Sequence, residues 1–138
     1  MAARILLEST HPREPGLWRA DPYLERYTVP PCGSVTFELF AGDAITVTDP
    51  EGAQPGELIA FSTDGHPAPG GLCGTRPKAA TGFQKILASN EPSAQQVAAG
   101  LKRRNINAAD AKAIALFGSD SDAGSTHHYT AREDLLCI

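Results

Sequence analysis

Apolar and polar residues alternate from Ser34 to Leu39, with Val35, Phe37 and Leu39 on one side and Ser34, Thr36 and Glu38 on the other. A period of two predicts a half-buried strand. Gly42-Asp43 then marks a turn, and Ala44 to Thr48 alternates again, setting Ile45 and Val47 against Thr46 and Thr48. The two segments are expected to pair as a hairpin. Beyond the turn at Asp49-Pro50-Glu51-Gly52, Glu57 to Phe61 supplies a third strand, whose run Leu58-Ile59-Ala60-Phe61 is too continuous to be wet on both faces. Strand, turn, strand, turn, strand reads as a meander.

From Ser62 to Gly82 the chain is dense in Gly, Pro and Asp and has little hydrophobic period, so a long loop is expected there. Phe83 to Leu87 fits a short strand or a helical turn. The clearest helix follows Pro92, where Ser93 and Gln96 have capping-box spacing and Ala94, Val97, Ala98 and Leu101 form a stripe with helical period. It should end near Asn105. A second helix is conceivable from Asn107 through Ala113, but the apolar run Ile114 to Phe117 suits a strand equally well. Ser119 to Thr126 reads as a polar loop.

The two ends differ in character. Arg13 to Pro31 mixes prolines with Trp18, Tyr23 and Tyr27, which predicts an arm laid on a surface with its aromatics as anchors. The chain stops within the apolar run Leu135-Leu136-Cys137-Ile138, which either completes the sheet as its last strand or, in the favoured reading, is a strand that has been cut. A last strand left in that state would present an open edge and an exposed apolar face, and would drive self-association. The expected organisation is therefore an N-terminal arm over residues 1–31 and a β-rich domain over residues 32–138, truncated at its C-terminal end. The expected class is mainly β (α+β), a compact β-sandwich or barrel-like meander with one or two helices.

Composition narrows the partners. Hydrophobic residues at 41% and charged residues at 20% call for a packed core, and a formal net charge of -4 provides no basic field for nucleic acid. The one basic cluster, Lys102-Arg103-Arg104, falls where a helix should end and would complement the negative end of its dipole. Ile5-Leu6-Leu7 is too short for a signal peptide or a membrane span, so a cytoplasmic protein without membrane attachment is expected. The three cysteines, Cys32, Cys73 and Cys137, are scattered and lack any C-x-x-C pair, which favours free thiols over a disulfide framework or a zinc knuckle.

Gly42-Asp43-Ala44-Ile45-Thr46-Val47, Glu51-Gly52-Ala53-Gln54, Glu57-Leu58-Ile59-Ala60-Phe61, Leu116-Phe117-Gly118 and Ala131 to Ile138 together carry a resemblance. Over roughly Tyr27 to Ile138 the chain resembles the urea carboxylase-associated family. The form it matches is the first of two related modules at the N-terminus of bacterial fusion proteins that end in an aminomethyltransferase-like, folate-binding domain. The resemblance implies a setting of amine demethylation and formaldehyde transfer to tetrahydrofolate. It places a bound zinc in the parent protein outside this chain, since the second module carries the cysteine-rich pattern that this one lacks. No cofactor is expected in this chain itself.

Several residues remain as candidates for chemistry. Gln54 and Glu57 flank the turn into the third strand, where an amide and an acid could hold an amine or a partner's backbone. Cys73, in the long loop, is the most plausible nucleophile, with His66, His127 and His128 as bases that only the fold could bring near. His127-His128, with Asp120 and Asp122 upstream and Cys137 downstream, is the one place where metal-competent side chains crowd together in sequence. Adjacent strand residues point to opposite faces, so the pair could give one ligand at most. Asp120-Ser121-Asp122-Ala123-Gly124 begins like a calcium loop but lacks the closing acid, and neither Gly118 to Gly124 nor the Gly70-Gly71 stretch has the Lys-Ser or Lys-Thr of a phosphate loop. No catalytic residue is assigned.

Three functions follow as alternatives. The first is a structural and assembly module that docks to the remainder of a larger polypeptide or to copies of itself and has no complete active site. The second is a small metal-dependent enzyme acting on an amine or ureido compound through His128, Asp122 and Cys73. The third is a small-ligand binding module whose Ser62 to Gly82 loop covers a barrel mouth.

Overall fold

The structure, a computed structural model, describes residues 3–8, 23–31, 33–72 and 77–138. Within them the chain forms β1 (Ala3–Glu8), β2 (Leu24–Val29), β3 (Phe37–Leu39), β4 (Ala44–Asp49), β5 (Gly56–Ser62), β6 (Pro77–Ala79), β7 (Lys112–Leu116), β8 (Ser125–Thr130) and β9 (Leu135–Cys137). Two helices, α1 (Thr81–Leu87) and α2 (Pro92–Arg103), stand between β6 and β7. The strands make two antiparallel sheets, β2-β1-β4-β8 and β3-β9-β5-β7-β6. A mainly β fold with two helices is what the residue pattern predicts.

The molecule has three layers, and the side-chain period of each strand shows which neighbours it has. Ile5 and Leu7 of β1 and Ile45 and Val47 of β4 meet Phe37, Leu39, Leu58, Ala60, Ile114, Leu116, Leu135 and Cys137 of the second sheet in one core. The alternate positions of that second sheet, Ile59, Phe61, Ala113, Leu136 and Ile138, form another core with Phe83 of α1 and Leu101 of α2. The second sheet is thus covered on both faces. The first sheet turns Arg4, Thr28, Thr126 and His128 to solvent. The unbroken run Leu58-Ile59-Ala60-Phe61 is buried throughout, as a strand with apolar neighbours on both faces must be.

The strand order is not a meander. β3 and β4 do not pair as a hairpin: β3 lies beside β9 in the second sheet, and β4 lies between β1 and β8 in the first. The turn joining them is a corner. Asp43 Oδ2 accepts from the Phe40 amide at 2.9 Å, the Gly42 amide donates to Ala131 O at 2.8 Å, and the Ala131 amide donates to Asp43 O at 2.9 Å. Ala131 leads from β8 to β9, so two paired chains cross from one sheet to the other at the same place, as strands do at the corners of a sandwich.

The stretch expected as an arm contributes to the sheets. Residues 24–29 are β2, which pairs with β1 over six residues from Ala3↔Val29 to Glu8↔Leu24. Trp18 and the rest of residues 9–22 lie outside the described residues.

The last strand also departs from expectation. β9 is internal, paired with β3 on one side and β5 on the other, and Ile138 exchanges hydrogen bonds of 2.9 Å with Ile59 in both directions. Leu135, Leu136, Cys137 and Ile138 are all buried. The open edge and exposed apolar face expected here are therefore absent: the partner strands come from distant β3 and β5, which a local reading of residues 134–138 could not supply.

Phe83 to Leu87 is helical, within α1. At the start of α2 the cap is Glu91, with Pro92 in the first helical position, where its missing amide costs no hydrogen bond. Ser93 falls inside the first turn and makes no capping bond, so the capping-box expectation fails. The other end of α2 closes as a Schellman motif: the Asn105 amide donates to Lys102 O and the Ile106 amide to Leu101 O, with Asn105 at φ 55°. Asn107 to Asp110 forms only a short 3-10 turn, and Lys112–Leu116 is strand.

Within its described residues, 62–72 and 77–82, the Ser62 to Gly82 stretch holds regular elements. A 3-10 turn spans Pro69–Gly71, isolated bridges join Phe61 to Pro67 and Leu72 to Ala131, and β6 and the start of α1 occupy its end.

Candidate functional site

Gln54 and Glu57 are close in sequence but serve different neighbours. Asp49 ends β4 with its carboxylate fully buried, and that carboxylate accepts from the Gly52 amide at 2.9 Å and from the Gln54 amide at 3.1 Å. Gly52, at φ 84°, has no room for a side chain, since a Cβ there would stand 2.8 Å from the Ala123 amide nitrogen. The Ala53 amide donates to Ser121 O at 2.9 Å and the Gly124 amide to Asp49 O at 2.7 Å. The turn before β5 and the polar loop before β8 are thereby one hydrogen-bonded unit. Gln54 keeps its Nε2 buried without a partner in this unit.

Glu57 faces the other way. Its Oε1 accepts from the Phe83 amide at 2.9 Å, where the first turn of α1 has donors without helical partners. Gly82 makes room for this contact, because a Cβ there would fall on the same oxygen. The carboxylate joins α1 to the second sheet, and the acid that sequence suggested for an amine is engaged with the chain's own backbone.

His127 and His128 point to opposite faces of β8. The His127 ring packs inward, 4.8 Å from Phe117 and stacked at 6.1 Å and 5° on Tyr129. Burial raises the Tyr129 hydroxyl above its ordinary pKa. His128 lies on the exposed face, with Nδ1 2.9 Å from Thr46 Oγ1. Asp122 holds the Ser125 hydroxyl and amide through its backbone oxygen, at 2.6 and 3.1 Å. Among the described residues no group of three or more His, Cys, Asp or Glu side chains stands together to hold a metal ion.

The nucleophile candidate, Cys73, lies outside the described residues. His66 sits in a turn with Ser62 and Asp64, where its amide meets Asp64 Oδ1 at 3.3 Å. The hydrogen bond from Ser62 holds the Asp64 carboxyl below its ordinary pKa, and the backbone of His66 adds to the effect. Cys137 is a core thiol pushed up to about 12 by burial, which leaves it inert at neutral pH.

One arrangement was missed in the sequence. A groove of about 940 Å³ opens between β2 and β3 on one side and the helix pair on the other, walled by Tyr27, Phe37, Val97, Leu101 and Leu136. Glu25 reaches into its wall with only 9% exposure, and the Tyr27 hydroxyl donates to Glu25 Oε2 at 2.7 Å. Tyr27 stacks on Phe37 at 6.2 Å and 23°. A carboxylate beside aromatic rings can receive hydrogen-bond donors or cationic groups. The signal is present as alternation, Glu25-Tyr27-Val29 against Arg26-Thr28, but the surrounding prolines mask it and favour an arm.

By the motifs named above, the sequence resembles trimethylamine N-oxide demethylase. No family model matches the chain, the urea carboxylase-associated family included, and no solved structure matches it. A curated protein does: the chain is 34% identical over 127 residues to trimethylamine-oxide aldolase of Ruegeria pomeroyi. That alignment takes in 91% of this chain and 16% of the aldolase, so nearly the whole three-layered unit is similar to a small portion of a much longer protein.

Proposed function

We propose that this chain is the N-terminal structural and assembly module of a trimethylamine N-oxide demethylase-like, folate-linked one-carbon enzyme, and that it holds no complete active site. The observation that carries this reading is the proportion of the match: 91% of the chain against 16% of the aldolase. The engagements of the candidate Glu57 and of Asp49, beside the candidate Gln54, support it. Asp49 closes a turn and Glu57 caps α1, so both carboxylates are used in holding the layers together. In this reading the zinc and the tetrahydrofolate belong to other parts of the longer protein, and the module's partners are that remainder and further copies of itself.

Two measurements test it. The purified chain, incubated with trimethylamine N-oxide, should release no formaldehyde and should carry no stoichiometric zinc or iron. The chain put in place of the matching segment of the Ruegeria pomeroyi aldolase should give a folded protein that retains turnover. Formaldehyde release by the chain alone, or tightly held metal lost on His128→Ala, would establish instead the small metal-dependent enzyme.

A further inference from the structure

We draw no further inference here: the strongest candidate, the groove between β2 and β3 on one side and the helix pair on the other, carries nothing further, because Glu25 already takes the Tyr27 hydroxyl, the remaining wall sets Glu38 and Glu91 against Arg103 and Arg104 so that its charges select no class of ligand, and nothing in the structure shows what covers it.

Discussion

The two sheets of this protein share a core but face different surroundings on their other sides. The first sheet has one dry face, and its strands alternate strictly: in β4, Ile45, Val47 and Asp49 are buried while Ala44, Thr46 and Thr48 are half-buried. The second sheet has helices on its far side, and its central strands are apolar at consecutive positions, as in Leu58-Ile59-Ala60-Phe61 and Leu135-Leu136-Cys137-Ile138. Alternation therefore marks a strand with water on one side, and continuity marks a strand between layers. A substitution should cost most where both faces are covered.

The sharpest separation of the two sheets is expected from Phe61→Ala. Phe61 is fully buried and touches Phe83 of α1 at a ring distance of 6.4 Å, so truncation should remove about 3–5 kcal/mol of unfolding free energy in urea titration. Leu136→Lys comes next. It places an ammonium on an internal strand against the helix layer, and a loss of about 2–5 kcal/mol is expected, the range for truncating a buried Leu. A Leu136→Lys protein as stable as the wild type would mean that β9 is not the internal strand described above.

The third effect is a pH dependence that sets in first in the second sheet. The Cys137 thiol ionises at an ordinary 9.0 when unfolded and at about 12 in the core. Between those values the unfolded chain has lost a proton that the folded one keeps, so stability is complete below pH 9 and falls as pH rises. The expected slope is on the order of 1.4 kcal/mol per pH unit, read from urea midpoints, and Cys137→Ala should remove it between pH 9.0 and 10.0, below the range in which the buried Tyr129 adds its own. The smallest effect belongs to the first sheet's wet face. Thr48→Ala should change stability by no more than about 0.5 kcal/mol in the same titration, and a larger loss would show that this face is covered in solution.

How much of this was legible depends on whether the signal was local. The strand at Glu57 to Phe61 and the helix after Pro92 declared themselves through period and composition, and so did the mainly β class. Pairing did not. Gly42-Asp43 looks like a hairpin turn, yet Ala131, far along the chain, takes up its backbone groups and turns it into a corner between sheets. Ile5-Leu6-Leu7 is too short a run to declare itself locally, although it is the middle of a strand paired on both sides. In the candidate site, the opposite facing of His127 and His128 followed from strand geometry alone. The groove carboxylate Glu25 could not be found in the same way, because its burial depends on β3 and α2 standing opposite.

The position of β9 also governs the order in which the protein can form during synthesis. Its neighbours β3 and β5 are made early and must wait side by side, or unpaired, until residues 135–138 leave the ribosome and slide between them. Until then the edges of β3 and β5 that β9 takes up have no strand beside them. Such a chain depends on the slow closure of a distant contact, and its most vulnerable moment is the interval before its last described strand arrives.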